Sequence, residues 1–244
     1  MKKTTKSMIL MLTALMAFAL MTGCTSEPES GASAPAESSS ASAGDAAVIN
    51  FDSLPAGEQI DYADESWTVE KVNGTTVLAY VSADNAASPS NSLYLEDNDS
   101  STKPYAYKVS DMGPAGEGSL SFFAYIPSSN AKTVYVNVGV NKNNSGRYVE
   151  LRLGNTGKIA YEYGSDDQQV ATVATDMWVF YKITWDADGT FDVYVEDDTT
   201  PVAADVPVYP EFAANFPTQV TVYAGDNGST GTSVYIDDIS STLF

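Results

Sequence analysis

The chain has 244 residues, with 32 Asp plus Glu against 12 Lys plus Arg and a formal charge of −20 at pH 7. It contains no histidine and a single cysteine. This composition excludes Ser-His-Asp and Cys-His triads, zinc hydrolases and an intramolecular disulfide. The acidity also argues against a nucleic-acid partner, because phosphate binding needs a basic surface.

The N-terminus has the pattern of a bacterial export signal. Three lysines precede the uncharged run Met8–Met21, which is too short for a membrane span. The run ends in Leu20-Met21-Thr22-Gly23-Cys24, which resembles the lipobox of bacterial lipoproteins, except that Leu is more usual than Met at its second residue. The resemblance implies that residues 1–23 are a signal peptide. It also implies that Cys24 is diacylated and holds the protein on the outer face of the cell membrane, since two acyl chains suffice for stable anchoring.

Residues 24–46 comprise that cysteine and a segment of Ser, Ala, Glu, Pro and Gly with no aromatic residue. Such a segment cannot bury enough apolar surface to offset its ordering entropy, so we expect a disordered linker. Residues 47–244 are long enough for one β-sandwich domain.

Period-two alternation recurs from residue 47 onward, and a 3.6-residue period never persists. Turn signals such as Asp186-Ala187-Asp188-Gly189 divide the alternating runs. The pattern predicts an all-β fold of two packed antiparallel sheets. The predicted strands are Ala47–Asp52, Trp67–Val72, Val77–Ser82, Ser92–Glu96, Tyr105–Ser110, Ser119–Ile126, Thr133–Val140, Arg147–Leu153, Lys158–Tyr163, Gln169–Ala174, Trp178–Asp186, Thr190–Glu196, Gln219–Gly225 and Ser233–Ser240.

Parity separates a core side from an outer side in three successive strands. The predicted core residues are Leu120, Phe122, Ala124, Ile126, Val134, Val136, Val138, Val140, Val149, Leu151 and Leu153. The opposite parity predicts one shared outer face that carries Phe123, Tyr125, Tyr135, Asn137, Tyr148, Glu150 and Arg152.

Four segments resemble the concanavalin A-like or laminin G-like jelly rolls that bacteria attach to polysaccharide-degrading enzymes or display alone. They are Ile49–Gly57, Asn91–Leu95, Trp185–Val195 and Tyr235–Ile239, in the expected order along the domain. The resemblance implies a two-sheet jelly-roll sandwich of the carbohydrate-binding type, with the first and last strands adjacent in one sheet.

A sugar site needs flat aromatic rings together with amide, carboxylate or guanidinium groups that take up hydroxyls. The candidate carbohydrate-binding residues are Tyr125, Tyr135, Asn137, Tyr148, Glu150, Arg152 and Trp178. The alternative is that these tyrosines only stabilise cross-strand pairs. The parity of Trp185 predicts a core position, and Trp67 fits the core or its rim.

Jelly-roll modules of this kind often hold a structural Ca²⁺ where early and late strands meet. The strand pairing that the resemblance implies would bring Asp52 close to Asp237 or Asp238, which are therefore the candidate calcium ligands. A rival candidate site for calcium consists of Glu96, Asp97 and Asp99. A further pair, Asp186 and Asp188, is more simply explained as part of a hairpin turn.

Glycosidases with this fold resemble one another in a Glu-x-Asp-x-x-Glu strand motif. This sequence lacks the motif. The acidic segment Glu196-Asp197-Asp198 does not have its spacing and is soon followed by Pro201. We therefore expect a lipid-anchored, non-catalytic polysaccharide-binding protein. Its acidity favours a neutral glycan, or an anionic one bound through calcium. The alternatives are a structural or adhesive surface module that binds a protein, and a polysaccharide lyase or glycoside hydrolase with an atypical site.

Overall fold

The computed structural model describes residues 48–72, 75–76, 78–101, 103–141, 146–164, 166–211, 213–226 and 228–244. The predicted signal peptide (1–23), Cys24 and the linker that ends at residue 46 lie outside the described residues. No helix within the described ranges is long and apolar enough to span a bilayer.

The described residues form seventeen strands and one short helix, α1 (Ile60–Ala63). The strands are β1 (Val48–Ile49), β2 (Trp67–Val69), β3 (Lys71–Val72), β4 (Thr75–Thr76), β5 (Leu78–Ser82), β6 (Ser92–Asp97), β7 (Tyr105–Val109), β8 (Gly118–Tyr125), β9 (Val134–Gly139), β10 (Arg147–Leu153), β11 (Lys158–Tyr163), β12 (Asp166–Thr172), β13 (Trp178–Trp185), β14 (Thr190–Val195), β15 (Ala203–Pro207), β16 (Gln219–Ala224) and β17 (Thr232–Ser241).

Two large antiparallel sheets make up the sandwich, and β3 and β4 form a separate two-stranded antiparallel sheet. The eight-stranded sheet has the order β15-β14-β13-β8-β17-β6-β5, and β1 pairs with the end of β17. The seven-stranded sheet has the order β12-β11-β10-β9-β16-β7-β2. The predicted all-β class with two antiparallel sheets is confirmed. The first and last strands are adjacent, as the resemblance to jelly rolls implied, with Val48 opposite Ser240.

The core lies between the two sheets and consists of the side chains that parity pointed inward. Ten of the eleven predicted core residues of β8, β9, β10 and their flanks are at most 5% exposed. The exception is Val140, just after β9, which is only partly buried. Trp185 is 1% exposed and its indole Nε1 donates to the backbone oxygen of Ala115 at 3.1 Å, which confirms its core position. A fully buried side chain of this kind contributes about 1.5–3 kcal/mol through its apolar surface.

The predicted hairpin at residues 186–189 joins β13 to β14. The N–H of Gly189 donates to the oxygen of Asp186 at 3.0 Å, and Gly189 has a φ of +83°, a conformation that glycine adopts without strain. The carboxylate of Asp188 accepts from the N–H and the hydroxyl of Thr190. Asp186 and Asp188 therefore serve the turn.

The chain changes sheets between β8 and β9. Strand β8 pairs with β13 and β17 in the eight-stranded sheet, whereas β9 pairs with β10 and β16 in the seven-stranded sheet. The prediction of one outer face shared by β8, β9 and β10 is therefore wrong. Parity separates inside from outside in a strand, but it carries no information about the sheet to which the strand belongs.

Candidate functional site

The predicted carbohydrate-binding residues lie in three places. The first place is the outer surface of the seven-stranded sheet, which carries Tyr135, Asn137, Glu150 and Arg152. We call this surface the front face; it also includes Tyr105 and Tyr223. The outer surface of the eight-stranded sheet, the back face, carries Tyr125 and Trp178. The remaining residue, Tyr148, is part of the core.

Tyr148 is 1% exposed and packs within the hydrophobic core. The β9–β10 register shifts between Arg147 and Val149, so Tyr148 is an additional residue at a β-bulge and its side chain does not follow the alternation. Burial raises the pKa of its phenol, with smaller contributions from Asp188 and Asp186. The prediction that Tyr148 faces a ligand on the outer face is therefore wrong.

Three tyrosines stack across neighbouring strands of the front face. The rings of Tyr135 and Tyr223 are nearly parallel, with centroids 4.5 Å apart and an interplanar angle of 7°. Tyr105 continues the stack at 4.9 Å from Tyr223. The ring of Tyr223 lies in the middle of this stack, and its two neighbours cover its faces. The stack therefore offers ring edges and hydroxyls to a ligand.

Two cations lie against this stack. The Nζ of Lys103 is 4.8 Å from the ring centroid of Tyr223 and less than 6 Å from those of Tyr135 and Tyr105. The guanidinium of Arg152 lies 5.5 Å from the ring of Tyr135. Cation–π contacts of this kind contribute about 0.5–2 kcal/mol. Burial lowers the pKa of Lys103, even though Glu150 and Asp226 oppose the shift.

A network of ion pairs holds the β10 side of the front face. Oε1 of Glu150 accepts from Arg147 at 2.9 Å and from Arg152 at 3.1 Å, and both arginines also pair with Glu162. Arg152 additionally pairs with Asp167. Burial opposes the charge of Arg152, but these carboxylates together raise its pKa. Burial raises the pKa of Glu162, although the two arginines oppose the shift.

Asn137 lies between Glu150 and Thr221 in the sheet and is 1% exposed. Neither its amide nitrogen nor its amide oxygen has a hydrogen-bond partner among the described residues. An unsatisfied buried polar group costs about 1–3 kcal/mol and is normally satisfied by ordered water or a ligand. The Asn137 amide is therefore a buried polar group beneath the front face for which the described residues supply no hydrogen-bond partner.

A cavity of about 320 Å³ opens on the front face beside Arg152. Its walls come from the start of β9, the β10–β11 turn, β11 and β12, and it is lined by Thr133, Arg152, Gly154, Asn155, Thr156, Lys158, Ala160, Asp167 and Gln169. This lining combines hydroxyls, amides, a carboxylate and two cations. The small side chain of Ala160, directly opposite Arg152 in the sheet, contributes to the lining without filling the space.

On the back face, Tyr125 and Trp178 lie directly opposite each other on β8 and β13. Their rings meet edge to face, with centroids 5.9 Å apart. Both are partly exposed. The indole Nε1 of Trp178 donates to Oδ1 of Asn85 at 3.0 Å.

The predicted calcium ligands Asp52 and Asp237 both contact the segment between β5 and β6. Oδ1 of Asp52 accepts from the N–H of Asn91, and Oδ2 of Asp237 accepts from the N–H groups of Ala87 and Ser88. Oδ1 of Asp237 accepts from the N–H of Asp238. Amide donors already occupy these oxygens, and the described residues contain no cluster of three or more acidic, His or Cys side chains arranged to hold a metal. In this arrangement the residues do not fit a calcium ion, and calcium stays a prediction.

The rival cluster around Asp97 does not converge either. Glu96 points outward beside Tyr94, whereas Asp97 has the core parity and is 1% exposed. Asp99 accepts from the N–H of Ser101 in the following loop.

No family model matches this chain, and no curated protein matches its sequence. Solved structures share its fold at low identity. A sialidase superposes with a TM-score of 0.57 at 15% identity, covering 81% of this chain but only 18% of the sialidase chain. The cellulose-induced protein Cip1 gives a TM-score of 0.54 at 16% identity, covering 81% of this chain and 97% of Cip1. A carbohydrate esterase of the Shiga toxin-encoding bacteriophage phi24B gives 0.52 at 13% identity, with 80% and 98% covered. The fold is thus that of sandwich domains found in carbohydrate-related proteins.

Sequence reasoning missed Tyr105, Tyr223 and Lys103 on the front face, and the cavity residues Thr133, Asn155 and Gln169. The available signal was the alternation within predicted strands, which places Tyr105 on one parity of β7 and Tyr223 on one parity of β16. The sequence did not indicate that β16 pairs with β9 and that β7 follows β16 in the same sheet.

Proposed function

We propose that this protein is a non-catalytic carbohydrate-binding protein and that its front-face cavity holds part of a glycan. The observation that carries the proposal is the mixed polar lining of the cavity. Thr133, Asn155, Lys158, Asp167 and Gln169 surround a space of about 320 Å³, which falls in the usual size range of small-molecule pockets. A sugar presents many hydroxyls that both donate and accept, and this lining offers both kinds of partner.

The carboxylates of the front face support binding without chemistry. A glycosidase needs a carboxylic acid and a second carboxylate that reach the scissile bond. The Glu150 side chain is 1% exposed and is held by Arg147, Arg152 and Tyr223. Glu162 is paired with both arginines. The ion pairs position these groups as structural supports.

The proposal extends to the location of the protein. The lipobox-like segment that ends in Cys24 supports export and attachment to the outer face of a bacterial membrane. In such a location, an acidic domain on a flexible linker stays soluble and away from anionic headgroups. Incorporation of labelled palmitate into the wild-type chain and its loss in Cys24→Ala tests the anchor.

Filling the cavity tests the glycan site. Ala160→Leu adds bulk where the lining is smallest. Ala160 is 7% exposed, lines the cavity and lies outside the main hydrophobic core cluster. We expect this variant to keep the fold and to lose the part of the glycan-dependent rise in thermal midpoint that comes from binding in the cavity. Ala187→Leu, the same change on the exposed β13–β14 turn, is the matched control.

A ligand at a hundredfold its dissociation constant stabilises a protein by about 2.7 kcal/mol, which raises the midpoint by several degrees. The thermal midpoint is measured with a panel of neutral polysaccharides and polysaccharides of uronic acids. If no glycan raises the midpoint of the wild-type protein, the proposal fails, and the protein-binding alternative then takes its place.

A further inference from the structure

An unbroken row of aromatic side chains crosses five strands of the back face. Each member of the row is the direct cross-strand partner of the next. The row consists of Tyr80 on β5, Tyr94 on β6, Tyr235 on β17, Tyr125 on β8 and Trp178 on β13. Successive ring centroids are 5.1, 4.5, 6.0 and 5.9 Å apart. A second pair, Phe123 and Phe180, lies beside the Tyr125–Trp178 end of the row.

The rings of this row differ from the front-face stack in how they meet. Neighbouring planes in the row are inclined by 45° to 85°, whereas Tyr135 and Tyr223 on the front face are inclined by 7°. An edge-to-face pair leaves the faces of the ring that presents its edge uncovered by that partner. The two edge-to-face contacts of Tyr125, with Tyr235 and Trp178, therefore leave ring faces uncovered at this end of the row. All of these aromatic residues are partly exposed.

The segment between β5 and β6 fixes one side of the row. Asn85 holds the indole of Trp178 through its Oδ1 at 3.0 Å, and the N–H groups of Ala87 and Ser88 donate to the buried carboxylate of Asp237, which lies opposite Phe123. The orientation of Trp178 is thus set before any ligand arrives. Preorganisation of this kind reduces the entropic cost of binding.

Acidic groups surround the row. A hollow of about 400 Å³ at its Trp178 end is lined by Phe123, Phe180, Glu196, Asp197 and Asp198. At the other end, Glu96 and Asp84 lie close enough to the tyrosines to affect their pKa values. These carboxylates accept hydrogen bonds from hydroxyls and repel polyanions.

We propose that this aromatic row is a second glycan-binding surface, separate from the front-face cavity, and that it takes an extended, uncharged polysaccharide chain. Strands lie about 4.8 Å apart, close to the length of one pyranose unit along an extended chain. A chain lying across the strands therefore meets one ring per sugar. The acidic surroundings select a neutral chain. The inference depends on the proposed carbohydrate-binding function but involves different residues.

Trp178 provides a specific probe of this surface. The other two tryptophans, Trp67 and Trp185, are 2% and 1% exposed, so acrylamide quenching of tryptophan fluorescence reports mainly on Trp178. We expect hydroxyethylcellulose, galactomannan or mixed-linkage β-glucan to protect the full-length protein from quenching, and alginate to give no protection.

Affinity electrophoresis in gels that contain the same polysaccharides separates the two surfaces. We expect Trp178→Ala to weaken retention by about tenfold, the loss expected for a central aromatic contact, whereas Ala160→Leu keeps the Trp178 protection. Asn85→Ala is the second variant, because it releases the indole N–H without removing a ring from the sheet. Thermal midpoints establish that each variant is folded.

The outcomes separate this inference from the proposed function. Retention that is lost in Ala160→Leu but unchanged in Trp178→Ala and Asn85→Ala overturns the back-face surface and leaves the front-face site standing. Protection of Trp178 by alginate instead of the neutral chains overturns the neutral-chain assignment. Absence of both retention and protection with every polysaccharide overturns both proposals.

Discussion

The hydroxyl of Tyr223 donates a 2.5 Å hydrogen bond to Oε2 of Glu150, and this bond joins the tyrosine stack to the ion-pair network of the front face. Glu150 thereby receives three donors, from Tyr223, Arg147 and Arg152. Burial raises the pKa of Tyr223, and the neighbouring Glu150 carboxylate adds to the effect. The phenol therefore stays protonated and acts as a donor, not as a base.

Tyr223→Phe removes this donor and keeps the ring. Hydrogen bonds to charged groups contribute about 1.5–3 kcal/mol, so we expect a loss of that size in the free energy of unfolding. Urea unfolding measures it. Tyr105→Phe is the control, because it lies in the same stack and the structure records no hydrogen bond of its hydroxyl among the described residues. An equal loss in both variants would show that the hydroxyl bond to Glu150 is not the cause.

Tyr148 provides a direct test of the core assignment. Its hydroxyl is buried and has no hydrogen-bond partner among the described residues, so Tyr148→Phe removes an unsatisfied group and is expected to leave stability unchanged or to increase it. Tyr148→Ala is expected to cost about 3–5 kcal/mol, as for other large aromatic truncations in a core. Neither variant that folds should change glycan retention. If Tyr148→Phe lost glycan retention at unchanged stability, Tyr148 would have to be a glycan-binding residue, and the core assignment would be wrong.

The inward side of this fold was predictable because alternation is a local property. The side chains of β8, β9 and β10 that share the parity of Leu120, Val136 and Leu151 are all buried. The same holds for the hairpin at Asp186–Gly189, where the turn chemistry lies within four residues. Each of these features depends on neighbours in the sequence.

Features that depend on distant partners were not predictable. The sheet change between β8 and β9 separated Tyr125 from Tyr135, and the bulge at Tyr148 reversed one side chain against its parity. Strand β15 went unseen because it is an exposed edge strand that contains Asp205 at a φ of +53° and ends in a proline. The front-face cavity combines residues of β9, β11 and β12 that only the sheet order brings together.

Calcium, predicted from the sequence at Asp52, Asp237 and Asp238, is tested by removal. The carboxylate of Asp237 is buried, and burial raises its pKa although three backbone N–H groups that it accepts oppose the shift. A cation at this carboxylate would have to displace those N–H groups. We therefore expect the thermal midpoint to be the same in EDTA and in millimolar calcium. A calcium-dependent rise that Asp237→Asn abolishes would restore the sequence prediction, and it would require the segment of Ala87 and Ser88 to turn its amides away.

Asp97 is a buried carboxylate whose charge is only partly compensated. Its side chain is 1% exposed and lies against the backbone of Gly225, where a Cβ would be only 2.0 Å from Oδ2. Burial raises its pKa to about 6, against the opposing effect of a hydrogen bond from the backbone N–H of Asp99. The nearby carboxylates of Asp226 and Asp99 add to the rise, and Lys103 opposes it.

This pKa gives a stability difference with a defined sign. Above pH 6 the carboxylate is ionised in both the folded and the unfolded chain, and the folded state bears the cost of the buried charge. Between pH 6 and pH 4 the folded state takes up the proton first, so stability rises as the pH falls. Asp97→Asn removes the charge. We expect it to be more stable than the wild type at pH 7 and to differ little from it at pH 4. Urea unfolding of both proteins across this range isolates the contribution of Asp97 from the other carboxylates, and a difference that does not change with pH would contradict the assignment.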